Sequence, residues 1–201
     1  AQEPAVTAHE FVHTLQYMSG GMRDSRYVGW YWESHAEFMT HQVFPNSVGC
    51  SNTLVNAPYL YYGSTRNRYC NWQFSEYLAQ TLSLEVINHI WASSLRQPNA
   101  CYALESPFTA LARNLGWSPA QLNDAFGLWA MANVNWDYPE KADIYRQQYG
   151  SYDTLGPGQR GRITRLEALD EEARQYITPS FFAPQRWGYN LVRLIPEGGA
   201  E

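Results

Sequence analysis

The sequence predicts a mainly α-helical fold, and three observations carry that expectation. Apolar residues recur at three- and four-residue spacing over most of the first 150 positions. Two Ser-Pro pairs, Ser106-Pro107 and Ser118-Pro119, each set a capping serine before a proline at the first helical position. A single strand pattern, Asn190 to Ile195, stands near the end of the chain. With 201 residues, 45% of them hydrophobic, the chain has the length of one domain and enough apolar material for a core.

Pro4, followed by Val6, Phe11, Val12, Leu15 and Met18, marks an amphipathic helix over about residues 4–18, stopped by Ser19-Gly20-Gly21. A second helix runs from about Trp30 to Val43 and ends at Phe44-Pro45-Asn46. Residues 45–70 are rich in turn formers and read as a long, functional loop. From Asn71 to about Leu95 the apolar pattern gives two helices broken near Ser83. The helices opened by Pro107 and Pro119 end near Gly116 and Asn133, and Pro139 to Gly150 forms one more, with Asp137 as its cap. A Gly- and Arg-rich stretch follows, then a short amphipathic piece around Leu166 to Tyr176 in which Asp170-Glu171-Glu172 is a solvated helix face. The organisation is a helical part over residues 1–150 and an extended tail over 151–201 whose strand has no obvious partner.

The net charge of −5 and the scattered basic residues give no footprint for nucleic acid or an anionic membrane. No apolar run approaches the roughly 20 residues of a membrane span. One lysine against 13 arginines, 15 tyrosines and eight tryptophans suits an extracellular protein. Cys50, Cys70 and Cys101 lie far apart without a Cys-x-x-Cys metal pair, and their loop-like settings point to an oxidising compartment. One disulfide, with the third cysteine's partner outside this sequence, and three buried thiols both fit the count.

The chemistry is concentrated in His9-Glu10-Phe11-Val12-His13. Residues four apart share a helix face, so two imidazoles can hold one zinc ion while Glu10 reaches a water beside it. At this composition a chance match has odds of about one in a hundred. A catalytic zinc takes three protein ligands. Nineteen residues separate His13 from Glu33, and the Gly20-Gly21 break lets the second helix fold back, which makes Glu33 the third ligand. Glu37, one turn on, is placed to accept the other N–H of a ligating imidazole. His35 falls about 200° round the helix from Glu33 and reads, with His41, as a core or surface histidine rather than a ligand. The tryptophans at helical spacing, Trp72, Trp91 and Trp129, read as core.

These motifs resemble the gluzincin metallopeptidases, whose ligands are the two histidines of His-Glu-x-x-His and a downstream glutamate. Glu33-Ser-His-Ala36 and Glu33 with Glu37 match both forms of that second motif. More narrowly, Trp32-Glu-Ser-His-Ala-Glu37, Tyr69-Cys-Asn-Trp-Gln-Phe-Ser-Glu-Tyr-Leu78, Asn133-Val-Asn-Trp-Asp-Tyr138 and Pro184-Gln-Arg-Trp-Gly-Tyr-Asn190 look like an uncharacterised family of secreted bacterial gluzincin-like proteins. The resemblance implies the helical half of a gluzincin, with a sheet before residue 1 and a β-rich part after residue 201. It also implies zinc, a peptide or protein substrate, secretion, and peptide-bond hydrolysis with Glu10 as general base. It suggests Tyr69, 36 positions beyond Glu33 and about one out of the family's register, as the donor to the oxyanion, with Tyr61, Tyr62 and His89 as alternatives. The competing expectation is an inactive relative that binds glycan or protein outside the cell.

Overall fold

In the computed structural model of the chain, residues 3–22, 29–47, 52–94, 105–150 and 163–194 are described. The fold is mainly helical. The helices are α1 (Pro4–Ser19), α2 (Tyr31–Val43), α3 (Asn52–Asn56), α4 (Gln73–Thr81), α5 (Leu84–Ala92), α6 (Pro107–Leu115), α7 (Pro119–Ala132) and α8 (Ala142–Tyr149). A two-stranded antiparallel hairpin, β1 (Glu167–Asp170) and β2 (Gln175–Ile177), follows.

Local chemistry sets the helix ends. Ser106 and Ser118 accept hydrogen bonds from Thr109 N and Gln121 N, and Gln121 answers Ser118 in a capping box. Gly20 ends α1 in the left-handed conformation at φ 69°. The next residue turns so tightly past α5 that a Cβ on Gly21 would lie 1.9 Å from the Trp91 carbonyl oxygen, so only glycine fits. This turn brings α2 back along α1, and the two pack against each other more extensively than any other pair of helices.

Aromatic rings form the core. Tyr62 sits 5.2 Å from Trp129 and 5.7 Å from Phe126, and Phe74 meets both of these rings. His35 stacks on Trp91 at 5.7 Å, and His41, with no exposed surface, stacks on Trp72 at 4.0 Å. Both histidines are buried against tryptophans, and Trp72, Trp91 and Trp129 are buried with them. A second buried group is polar. Glu76, fully buried, accepts from Gln42 and Gln80 and pairs with Lys141 Nζ at 2.8 Å. The one lysine of the chain thereby ties α2 and α4 to the start of α8.

Four elements depart from expectation. The loop over 45–70 carries α3 and a 3-10 turn, Thr65–Asn67. Helix α8 begins at Ala142, three residues past Pro139, and Asp137 does not cap it; its exposed carboxylate binds Arg146 instead, at 2.9 Å. The piece around Leu166 to Tyr176 is the β-hairpin, and Asp170-Glu171-Glu172 lies at its turn rather than on a helix. There the Asp170 side chain accepts from Ala173 N and Arg174 takes φ 54°, a turn geometry that competes with helix in so short and exposed a segment. The strand expected at the end is a single parallel bridge, Leu191 with Ile163, while Ile195 and the Gly- and Arg-rich stretch lie outside the described residues. The tail docks on the helices: Gln185 N and Tyr189 N donate to Tyr59 O and Pro58 O, and Trp187 lies 4.6 Å from Phe108.

Lys141→Met should destabilise the protein by about 3 to 5 kcal/mol, because it leaves the Glu76 carboxylate buried without its cation. Chemical denaturation of the two proteins measures the difference, and a change under about 1 kcal/mol would show that the pair is not needed.

Candidate metal centre

Helix α1 presents His9 and His13 on the face that meets α2, one turn apart, with ring centroids 4.6 Å from each other. His13 is held flat against Trp32 at 5.2 Å. Across the helix contact, the carboxylate of Glu33 reaches between the two rings. Its Oε2 lies 3.1 Å from His9 Nε2 and 3.0 Å from His13 Nε2. The three donor atoms fall within 4.8 Å of one another, and the residues are buried or half-buried.

The outward nitrogens are also engaged. His9 Nδ1 lies 3.2 Å from Glu37 Oε1, close enough for charge attraction though not aligned as a hydrogen bond. His13 Nδ1 lies 2.7 Å from Gln16 Oε1. Burial alone would lower the pKa of His9, but Glu37 and then Glu33 outweigh it and hold the imidazole above its ordinary value. Glu37 in turn lies 4.0 Å from the ring of His41.

A cleft of about 500 Å³ opens on this cluster, with Glu10, Trp32, Thr40, Ser47 and Tyr69 among its walls. Glu10 is exposed on α1 at the cleft side. Tyr69 is 37% exposed, its ring 6.0 Å from that of His9. Tyr62 is buried in the aromatic core, which raises its hydroxyl pKa well above the usual phenol value, and it bonds Asn71. Tyr61 and His89 are not among the residues that line the cleft. Of the four residues considered for the oxyanion, Tyr69 alone faces it.

Two residues at the site were not anticipated. Arg68 places its Nε 3.9 Å from Glu33 Oε1 and its guanidinium 5.0 Å from the centre of the Tyr69 ring. Nothing in its sequence setting signals that. Gln16 had a signal, since it stands three residues beyond His13 on the same helix face. Cys70 is buried and disulfide-bonded, while Cys50 and Cys101 lie outside the described residues. No described helix is long and apolar enough to cross a membrane.

A family of unknown function, DUF6055, matches residues 1–201, and the chain belongs to it. Neither a curated protein nor a solved structure matches the chain.

In chelator-treated protein, Glu37→Gln should lower the pH at which His9 titrates, and by more than Glu33→Gln does, because Glu37 contributes more to holding the proton. NMR titration of the imidazole signals reads this directly. An unchanged midpoint in both variants would mean that neither carboxylate acts on His9.

Proposed function

We propose that this member of the family is a zinc-dependent hydrolase of peptide bonds, with His9, His13 and Glu33 as ligands and Glu10 as general base. The observation that carries the reading is the meeting of two imidazole nitrogens and one carboxylate oxygen at 3.0 to 3.1 Å. A neutral histidine has one N–H. With Gln16 bonded to His13 Nδ1 and the Glu37 carboxylate near His9 Nδ1, neutral imidazoles that keep their protons on those atoms turn both Nε2 lone pairs toward the Glu33 oxygen. In that state three acceptors face one another and repel, and a cation, or a proton taken up by His9, joins them. Two nitrogens and a carboxylate form the donor set of a catalytic zinc, which leaves its fourth position to water.

His9, His13 and Glu33 all line the cleft. Bound zinc would polarise a scissile carbonyl and make water acidic enough to react near neutral pH. Glu10 follows His9 in sequence and faces the cleft, so its carboxylate is placed to take a proton from water and pass it to the departing amine. Glu37 lies 3.2 Å from the other nitrogen of His9, where its charge favours a proton on that atom and makes the imidazole a better donor. Tyr69 offers an exposed hydroxyl at the cleft edge to a developing oxyanion. The peptide bond as substrate is supported by the likeness of both zinc motifs to gluzincins. The disulfide at Cys70 supports secretion into an oxidising compartment.

Metal analysis should find one zinc per chain, removable by chelation and restored by added zinc. The wild type should cut a mixed peptide library, and Glu10→Gln should bind zinc equally and lose about 10²- to 10⁴-fold in rate. Stoichiometric zinc without cleavage in either form would favour an extracellular binding module instead. A folded protein without affinity for zinc would overturn the site.

A further inference from the structure

We infer that Gln16 is the positioning residue for His13, with His35 and Asn88 as the lock that orients its amide. The inference rests on the metal site proposed above and extends it to a residue on α5.

Gln16 is 2% exposed, and both ends of its amide are used. The nitrogen donates to the Trp32 carbonyl at 2.9 Å and to His35 Nδ1 at 3.0 Å. A carbonyl oxygen can only accept, so the nitrogen end of the amide must point there. The oxygen end is left facing His13 Nδ1 at 2.7 Å. His13 Nδ1 therefore carries the proton, and its Nε2 presents a lone pair toward Glu33.

The same logic continues outward. His35 Nδ1 accepts from Gln16, so His35 is neutral and its proton sits on Nε2, where it is donated to Asn88 Oδ1 at 3.2 Å. The Trp91 indole, one turn further along α5, donates to the main-chain oxygen of Gln16 at 3.2 Å and to Ser19 Oγ at 3.0 Å. A line of hydrogen bonds thus runs from Asn88 on α5 through His35 on α2 and Gln16 on α1 to the proposed ligand. Reversing the amide would set its oxygen against the Trp32 carbonyl and its N–H groups against His13.

The line also accounts for the amide rather than an acid at this position. A carboxylate could accept from His13 but could not donate to Trp32 O or His35 Nδ1. His9 and His13 are therefore supported differently, one by the Glu37 carboxylate and the other by a neutral amide.

The test compares the full-length chain with Gln16→Met and Gln16→Glu. NMR of ¹⁵N-histidine in metal-free protein should show His13 as the Nδ1–H tautomer in the wild type and as a mixture in Gln16→Met. Titration calorimetry with zinc should show affinity about 10- to 100-fold weaker in Gln16→Met. In Gln16→Glu, which keeps the acceptor and loses the donors, affinity should stay within a few-fold of wild type while the melting temperature falls. A role confined to packing would lower the melting temperature of both variants and leave zinc affinity unchanged, and that result overturns the inference. So does an Nε2–H tautomer for wild-type His13. A wild type that shows the Nδ1–H tautomer but binds no zinc would sink the proposed function and leave the positioning of His13 by Gln16 standing.

Discussion

Glu33 meets His9 and His13 because α2 lies antiparallel on α1 in one register. A slip of α2 by a single residue turns the helix about 100° and would bring Trp32 or Ser34 to the place of Glu33, neither able to serve as an anionic ligand. The register is set from the other face of α2, where Tyr31 and Phe38 are buried in the core. It is set also at the turn, where Gly21 passes against the Trp91 carbonyl with no room for a side chain. Once that register holds, the spacing of four residues between Glu33 and Glu37 matches the spacing between His9 and His13. One carboxylate meets the inner nitrogens and the other an outer one. The geometry of the site is thus a consequence of how two helices pack.

Two glutamates in the molecule differ in how their carboxylates are balanced. Glu76 is fully buried and saturated, with two glutamine amides and the Lys141 ammonium around it. Its charge is balanced within the fold. Glu33 stands at the wall of a cleft and meets two imidazoles, with Arg68 more distant at 3.9 Å. Glu37 and Glu10 add negative charge nearby. In the proposed reading a compact dication, rather than a further side chain, balances these carboxylates.

The elements legible in the sequence were those with local causes. Ser106-Pro107 and Ser118-Pro119 marked helix starts because cap and proline act within a few residues. His9, His13 and Glu33 could be grouped because helical periodicity and a glycine break say which residues can meet. The β-hairpin was missed because the turn at Asp170 depends on a side chain bonding its own backbone, and the helical pattern there was too short to compete. Asp137 suited a cap by position, but Arg146 drew it away. Arg68, His35 and Asn88 reach the site through packing between residues far apart in the chain, for which sequence spacing carries no sign.

The support of α1 explains why polar contacts matter so much here. Its buried residues are His9, Val12 and Gln16, so one apolar side chain lies among three. On the same helix Phe11 is 60% and Met18 76% exposed, so those side chains do little to seat it. Apolar burial is non-directional and tolerates small shifts, whereas a hydrogen bond weakens steeply when its angle or length changes. The hydrogen bonds of Gln16 and of the Trp91 indole leave the helix few alternative positions that keep those groups paired. Leaving a buried amide unpaired is more damaging than losing an ordinary contact, because the group also forgoes its hydration. The arrangement thereby trades strength of attachment for accuracy of placement, which is what a site defined by two imidazoles and one carboxylate requires.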